Sequence, residues 1–356
     1  MKNTQNSSKI TNDVFARDSF QNLKGILALL VLVHHLHQFS GVLSETPLNF
    51  PMLMLGHFAV SGFLFMSGFG LLESYLAKGK DYIRKFPRNR LLTFGVTYMI
   101  LVCIYFLYEF INRTQIPTSM IIKTFTYGET IISFGWYLQL SMLLYVVFYL
   151  VFKIPEEKHL HSLLMLLFAV LYTGVFMALN YSDFLFTPLC AFLLGMVCSV
   201  HKEKIRNFIE KFKFILAPAS LVLFGGLFFI YMKTVYTFGE MNRQILPFRF
   251  VYLILVYMMD ATVLLFMLSL TTIVIKYASG LLFNPVFKYL GVVSLEIYVL
   301  QGIVLRLFFG RLFMNNNAAP IIASALSAVC IPVLAWPFHL LFKTVNNALK
   351  GNKKKS

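Results

Sequence analysis

The 356-residue sequence is poor in charge: charged residues make up 13% of the chain, whereas 58% of its residues are apolar. Acidic side chains are the scarcest, with 15 aspartates and glutamates against 31 lysines and arginines. Too few charged residues are present to cover a soluble surface, which excludes the soluble globular classes. Intrinsic disorder is also excluded, because 38 phenylalanines and 18 tyrosines carry far more apolar surface than disordered chains do. The composition indicates a polytopic membrane protein.

Cysteine is also rare. The four cysteines lie in apolar segments and show neither paired nor metal-type spacing, so neither a disulfide framework nor a zinc site is predicted. The amino terminus does not resemble a cleavable signal peptide, because about twenty mostly polar residues precede a first apolar run of full membrane length.

Apolar stretches of membrane length predict an all-α fold of about ten transmembrane helices. The predicted division is a cytoplasmic amino-terminal arm over residues 1–21, a ten-helix transmembrane domain over 22–343 and a basic cytoplasmic tail over 344–356. The predicted spans are 22–43, 52–77, 91–111, 135–152, 163–179, 184–200, 214–232, 250–275, 290–307 and 320–342.

The lysines and arginines predict the orientation of these spans. With both termini in the cytoplasm, 24 of the 31 basic residues fall in cytoplasmic segments and 7 in outer segments. Basic residues are retained on the cytoplasmic side, so this orientation is expected for a multi-pass protein of the cell membrane. The positive charge is therefore mainly an orientation signal, and no single face gathers it into a nucleic-acid surface.

The first span contains the most conspicuous polar groups, Lys24 near its cytoplasmic end and His34, His35 and His37 toward its outer end. Ionisable side chains at membrane depth are costly, so each one is a functional-site hypothesis. Eleven residues separate Lys24 from His35, which places them about 20° apart around a helix and about 16 Å apart along it. His35 is therefore the histidine that shares a wall with Lys24.

A histidine at this depth can act as a general base or carry an acyl group, and a lysine can hold a phosphate or carboxylate. Together they suggest an anionic cytosolic cosubstrate whose reacting group reaches His35. Two alternatives stay open: Lys24 extends to the membrane interface while the histidines bond between helices, or histidines ligate a haem. His57 is the only near partner for a haem, so neither haem nor metal is expected.

Polar residues elsewhere supply further candidates. Arg88 and Arg90 precede the third span, where they serve as orientation signals and can also clamp phosphates. Ser67 lies on a small-residue face of the second span, which permits close helix packing or the approach of a ligand. Trp136 opens the fourth span, as interfacial aromatic residues usually do.

The last spans contain two carboxylates. Asp260 lies in the middle of the eighth span, so it should pair with a lysine, histidine or arginine of another helix or be protonated. In the ninth span, Ser294, Tyr298 and Gln301 share one helical face and Glu296 points away from it. Asp260 and Glu296 are the candidate residues for orienting an imidazole, and Ser294 and Tyr298 for positioning an acceptor.

Five segments in order resemble the membrane-bound acyltransferase family 3. They are the lysine-glycine to histidine spacing from Lys24 to His35, FLFMSGFGL from Phe63 to Leu71, RNRLLT from Arg88 to Thr93, WYL from Trp136 to Leu138, and the pattern of Leu290, Gly291, Ser294, Ile297, Tyr298 and Gln301. Lys24 replaces the commoner arginine of that family, Asn89 and Thr93 replace loop arginines, and Gln301 stands where a histidine is frequent.

This resemblance implies the transfer of an acyl group, usually acetyl from acetyl-CoA, to a carbohydrate hydroxyl of the cell envelope or a lipid-linked precursor. Lys24, Arg88 and Arg90 would then hold the nucleotide end of coenzyme A, with His35 and Lys24 as the catalytic pair. The expected partners are acyl-CoA, a carbohydrate acceptor and the bilayer, while a homo-oligomer stays open. A transporter or flippase of a lipid-linked sugar, with the histidines and Asp260 coupling ions, is the alternative from another class.

Overall fold

In the computed structural model, residues 13–155, 160–242, 246–312 and 319–350 are described, and they form helices and connecting segments without a strand. The α-helices are α1 Arg17–Ser40, α2 Asn49–Lys78, α3 Lys80–Phe86, α4 Thr93–Ile111, α5 Thr118–Phe125, α6 Trp136–Lys153, α7 Leu160–Ala178, α8 Leu189–Val200, α9 Lys202–Asn242, α10 Leu246–Tyr277, α11 Ser279–Leu282, α12 Pro285–Val292, α13 Ser294–Leu307 and α14 Ala319–Lys350. The predicted all-α membrane fold is confirmed. Residues 1–12 of the predicted amino-terminal arm and residues 351–356 of the predicted basic tail lie outside the described residues.

Nine helical segments of the described chain are long and apolar enough to cross a membrane, and a tenth candidate is a bent pair. The prediction of one continuous ninth helix over residues 290–307 is wrong. The chain there forms α12 and α13, which meet at Val293 and are bent by 72°. Ser294 donates its hydroxyl to the carbonyl of Gly291 at 3.1 Å, which satisfies a carbonyl exposed by the break.

The bend between α12 and α13 results from close packing against α1, the helix that carries Lys24. A Cβ atom on Gly25 would lie 2.3 Å from the carbonyl oxygen of Phe287, and one on Gly291 would lie 1.8 Å from that of Gln21. Two glycines therefore let α12 pack backbone to backbone against the first turns of α1. A straight continuation of α12 cannot keep this contact while α13 packs farther along α1.

The basic segment before the third span is helical, whereas the sequence reading treated it as a loop. α3 continues through a π-helical turn at Pro87–Leu92 into α4. Proline lacks the N–H that the preceding turn needs, and such an interruption favours a π-helical turn. Arg88 and Arg90 lie in this turn.

One end of the bundle holds the start of α1 and the start of α4, and we call it the basic end because it contains Lys24, Arg88 and Arg90. The opposite end holds α5 and the segment of residues 126–135, which we call the cover loop. Gln139 holds this loop: its amide oxygen accepts from Gly128 N at 3.0 Å and its amide nitrogen donates to Lys123 O at 2.8 Å. Burial raises the pKa of Tyr127 to about 12, so its hydroxyl stays protonated in its hydrogen bond with Tyr172.

Arg249 fixes a second segment at the opposite end, between α7 and α8. Its buried guanidinium donates to the carbonyl oxygens of Met177 and Tyr181, to the amide oxygen of Asn180, and to the carboxylate of Asp183 at 2.8 Å. A buried cation with this many partners is fully compensated, so the segment is held in one conformation.

Candidate active site

Three cations gather at the basic end without a carboxylate partner among the described residues. Lys24 is half-buried on α1, and the positive charges of Arg90 and Arg17 lie close enough to act on it. Like charges repel, so such a cluster favours the binding of an anion that neutralises it. Of the predicted phosphate-binding residues, Lys24 and Arg90 are therefore brought together.

Arg88 points elsewhere. Its exposed guanidinium donates from Nε to the carbonyl oxygen of Leu349 at 3.0 Å, in the last turn of α14. A cation at a helix carboxyl end satisfies an unpaired carbonyl and the helix dipole. The structure thus gives Arg88 a contact that fastens α14 to the turn before α4, and its predicted contact with coenzyme A stays a prediction.

Hydroxyl groups follow one another from the basic cluster into the bundle. Tyr145 lies beside Arg90, and Ser67 donates a long hydrogen bond of 3.5 Å to its hydroxyl. Tyr137 lies about two turns earlier on α6, about 80° from Tyr145 around the helix. Its ring packs on Tyr298 at 5.2 Å between centroids. The helices thus place a column of polar groups between the cations and the level of His35.

His35 is buried and held on two sides. Its Nδ1 lies 2.8 Å from the amide oxygen of Gln38, and its ring stacks on that of Phe134 in the cover loop, with centroids 3.6 Å apart. Because an amide oxygen only accepts, Nδ1 carries the proton in this bond, which leaves Nε2 unprotonated. No described side chain bonds to Nε2, so this nitrogen can accept a proton from a substrate.

Gln38 is a positioning residue that the sequence reading missed, although its spacing of three from His35 on a helix was a usable signal. Replacing it by leucine should lower kcat about 10–100-fold, because the imidazole loses the bond that selects its tautomer and orientation. The KM for the predicted anionic cosubstrate should stay near the wild-type value, and Gln38→Glu should restore much of kcat because it keeps an acceptor oxygen. Steady-state kinetics of the purified variants check this; a rise in KM with unchanged kcat would contradict it.

A polar cavity of about 730 Å³ opens at the opposite end of the bundle. Phe134 and Trp136 line it together with Tyr181 and Phe184 from the segment that Arg249 holds. The polar groups of its wall are Glu109, Thr114, Gln115, Lys123, Glu129, Thr130, Ser133, Ser182 and Arg306. Aromatic faces next to many hydrogen-bonding groups suit a small polar ligand such as a sugar.

Glu109 and Arg306 form an ion pair in this wall, and Arg306 also contacts the hydroxyl of Ser133 at 3.4 Å. The second carboxylate oxygen of Glu109 is buried and has no hydrogen-bond partner among the described residues. Buried polar atoms are normally paired, so this oxygen is an unsatisfied acceptor behind the cavity wall. Sequence reading missed Glu109, although an acidic residue inside an apolar helix is itself a signal.

Neither the polar cavity nor a second, apolar groove is lined by Lys24 or His35 in the described part of the chain. The apolar groove, about 570 Å³, runs along the flank of α1 formed by Leu23, Leu27 and Leu30. Phe134 connects the polar cavity with His35, because its ring lines the cavity and stacks on the imidazole.

The two candidate carboxylates each bond to an imidazole, but not to that of His35. Asp260 is fully buried and lies 3.0 Å from Nε2 of His57, so among the alternatives predicted for it the structure shows a histidine partner. Glu296 lies 3.0 Å from Nδ1 of His339. These pairs join α2 to α10 and α13 to α14. Each pair gives an ionisable side chain at membrane depth a polar partner, which lipid cannot supply.

The other predicted residues have separate contacts and do not gather in one site. Tyr298 donates its hydroxyl to the carbonyl oxygen of Phe134 at 2.6 Å, Ser294 bonds within the break between α12 and α13, and Trp136 packs on Phe184. No group of three histidine, cysteine, aspartate or glutamate side chains is arranged as metal ligands within the described ranges. The residues suited to an anionic cosubstrate are Lys24 and Arg90, with Arg17 beside them.

A comparison with known families agrees with this arrangement. A family model described as an acyltransferase domain matches residues 17–337, which include both ends of the site. No curated protein and no solved structure matches the chain. The multi-pass membrane fold, the buried histidine and the matched domain lead to one conclusion: the chain belongs to acyltransferase family 3.

Proposed function

We propose that this acyltransferase moves an acetyl or similar acyl group from cytosolic acyl-CoA to a hydroxyl of a cell-envelope carbohydrate or its lipid-linked precursor. The observation that carries the proposal is the position of His35. His35 lies on the helix that carries Lys24, and its ring stacks on Phe134, which lines the polar cavity, within a chain that belongs to an acyltransferase family. Among the described residues, Nε2 has no bonding partner and the cations near Lys24 have no carboxylate partner.

The donor enters from the basic end. Lys24 and Arg90 hold the phosphates of the nucleotide, since both are cations without a carboxylate partner in the described chain. The pantetheine arm runs along α1, past Ser67 and the hydroxyls of Tyr145 and Tyr137. Lys24 and His35 are about 16 Å apart along the helix axis, a distance comparable with the reach of an extended pantetheine arm.

His35 acts as the general base. Nε2 takes the proton of the acceptor hydroxyl while the hydroxyl oxygen attacks the thioester carbonyl carbon. A carbon–oxygen bond forms, the carbon–sulfur bond breaks, and the proton on Nε2 passes to the departing thiolate. Gln38 keeps Nδ1 protonated throughout, so the same nitrogen accepts the proton and then returns it.

The basic end faces the cytoplasm in this proposal, as the distribution of lysines and arginines favours. The polar cavity then opens on the outer side, where surface carbohydrates or their lipid-linked precursors are present. A site within the membrane suits a reaction whose donor and acceptor lie on different sides. The wall of the polar cavity carries many hydrogen-bonding side chains. Among envelope molecules, a carbohydrate has closely spaced hydroxyls that can bond to them.

The test is mass spectrometry of envelope glycans from a strain that lacks the gene. We expect loss of ester-linked acetyl groups from one glycan, with the amount of that glycan at the surface unchanged. Expression of the full chain should restore the ester. Loss of the glycan itself, with esterification of the remainder intact, would contradict the proposal and support export of a lipid-linked sugar.

A further inference from the structure

The ring of Phe134 lies between the imidazole of His35 and the polar cavity. The ring of Phe134 stacks on the imidazole at 3.6 Å between centroids, with 24° between the ring planes, and it also lines the cavity. His35 is buried, and the cavity reaches the far side of this ring. A hydroxyl in the cavity therefore meets Phe134 before it meets the imidazole.

The backbone holds the ring in this position at a conformational cost. Phe134 has φ of 63°, a left-handed conformation that bulky residues rarely adopt. The hydroxyl of Tyr298 bonds to its carbonyl oxygen at 2.6 Å. A strained backbone conformation persists only where the surrounding contacts enforce it. Here those contacts keep the ring of Phe134 against His35, so the wall between the imidazole and the cavity stays closed.

We propose that Phe134 determines which nucleophile the enzyme uses, because its ring keeps water in the polar cavity away from the thioester until an acceptor displaces it. The inference rests on the proposed function, since it assumes a thioester near His35. Water would attack the same carbonyl carbon as an acceptor hydroxyl. The carbon–sulfur bond would break, free coenzyme A would leave, and the acyl group would be lost as a carboxylic acid.

The neighbouring contacts indicate how an acceptor opens this wall. Ser133 precedes Phe134 and is held by Arg306, which also pairs with Glu109. Arg306 lines the cavity and is partly exposed, so an acceptor with several hydroxyls can compete with Ser133 for its guanidinium. Ser133 is then released, and the adjoining ring can turn away. Binding of the correct acceptor thus opens the route to His35, which is a form of induced fit.

The first test measures hydrolysis of acetyl-CoA by the full chain in vesicles without any acceptor, as release of the free thiol. Phe134→Gly should raise this rate about tenfold or more, because the wall that excludes water is gone. Glycine adopts φ of 63° without strain, so the variant should fold. Phe134→Tyr keeps an aromatic ring and serves as the matched control, with hydrolysis near the wild-type rate.

The second test needs no acyl transfer. His35→Cys is placed in a chain whose four native cysteines are replaced by alanine, and a membrane-impermeant thiol reagent is added from the side of the polar cavity. Labelling should be slow with Phe134 present and at least about tenfold faster with Phe134→Gly.

The two tests separate the failures. Equal labelling with and without the ring would overturn the role of Phe134. Faster labelling by Phe134→Gly without faster hydrolysis would uphold the wall but contradict the placement of the thioester beside His35, and hence the proposed function.

Discussion

Replacing His35 with asparagine should reduce acyl transfer about 10²–10⁴-fold, the usual contribution of a positioned general base. Asparagine retains polarity and hydrogen bonding but cannot take a proton from a hydroxyl at neutral pH. In the structure Nε2 of His35 is the one ring nitrogen of that residue without a bonding partner among the described residues, so its removal eliminates the proton acceptor. The measurement is the ester content of the glycan in a complemented deletion strain, together with kcat/KM of the purified protein.

His37→Gln is the matched control for that variant. His37 lies two residues away on the same helix, but both its nitrogens have partners, Val42 O at 2.6 Å and the amide oxygen of Asn49 at 2.9 Å. These contacts fasten the segment between α1 and α2, so the control should lower thermal stability while transfer stays close to wild type. If His35→Asn kept more than about a tenth of the wild-type rate, His35 would not be the base.

Replacing Lys24 with alanine should raise the KM for acetyl-CoA about 10–100-fold with a smaller change in kcat. A hydrogen bond to a charged group is worth about 1.5–3 kcal/mol, and about 1.4 kcal/mol corresponds to a factor of ten. Lys24→Arg should restore most of the affinity, since it keeps the cation in the same place. Lys78→Ala, which removes an exposed cation at the end of α2, is the matched control and should leave KM unchanged.

A shortened donor makes the Lys24 prediction specific. Acetyl-pantetheine has the thioester and the arm but lacks the nucleotide phosphates, so its KM should barely respond to Lys24→Ala. Measuring the KM of both donors with the wild type and with Lys24→Ala isolates the interaction between Lys24 and the nucleotide. An equal loss for both donors would show that Lys24 supports the fold or the chemical step and does not bind phosphate.

The location of the site on α1 was predictable because it depends on one helix. Regular α-helical geometry places Lys24 and His35 on one face, and the structure has both on the bundle side of α1. The number and order of the membrane-length segments were predictable from hydropathy, because hydrocarbon thickness sets the minimum length of a spanning helix. Helical geometry also predicts the contact of Gln38 with His35, because residues three apart on a helix are neighbours.

The break between α12 and α13 could not be read from hydropathy. The residues at the break, Gly291 to Val293, are apolar, and the bend follows from the approach of Gly291 to the backbone of α1. A hydropathy window measures composition along the chain and contains no information about a neighbouring helix. The same limit applies to Arg88, whose partner, the carbonyl of Leu349, is 261 residues away.

The sequence by itself determined the membrane fold, the family, and the face of α1 that carries a cation and an imidazole, because each depends on composition or on spacing within one helix. Only the tertiary structure decided the partners: His57 for Asp260, Glu109 for Arg306, and Phe134 for His35. Those pairs join side chains from different helices or loops. Their identity depends on how the helices are arranged around one another, which no local pattern in a single chain specifies.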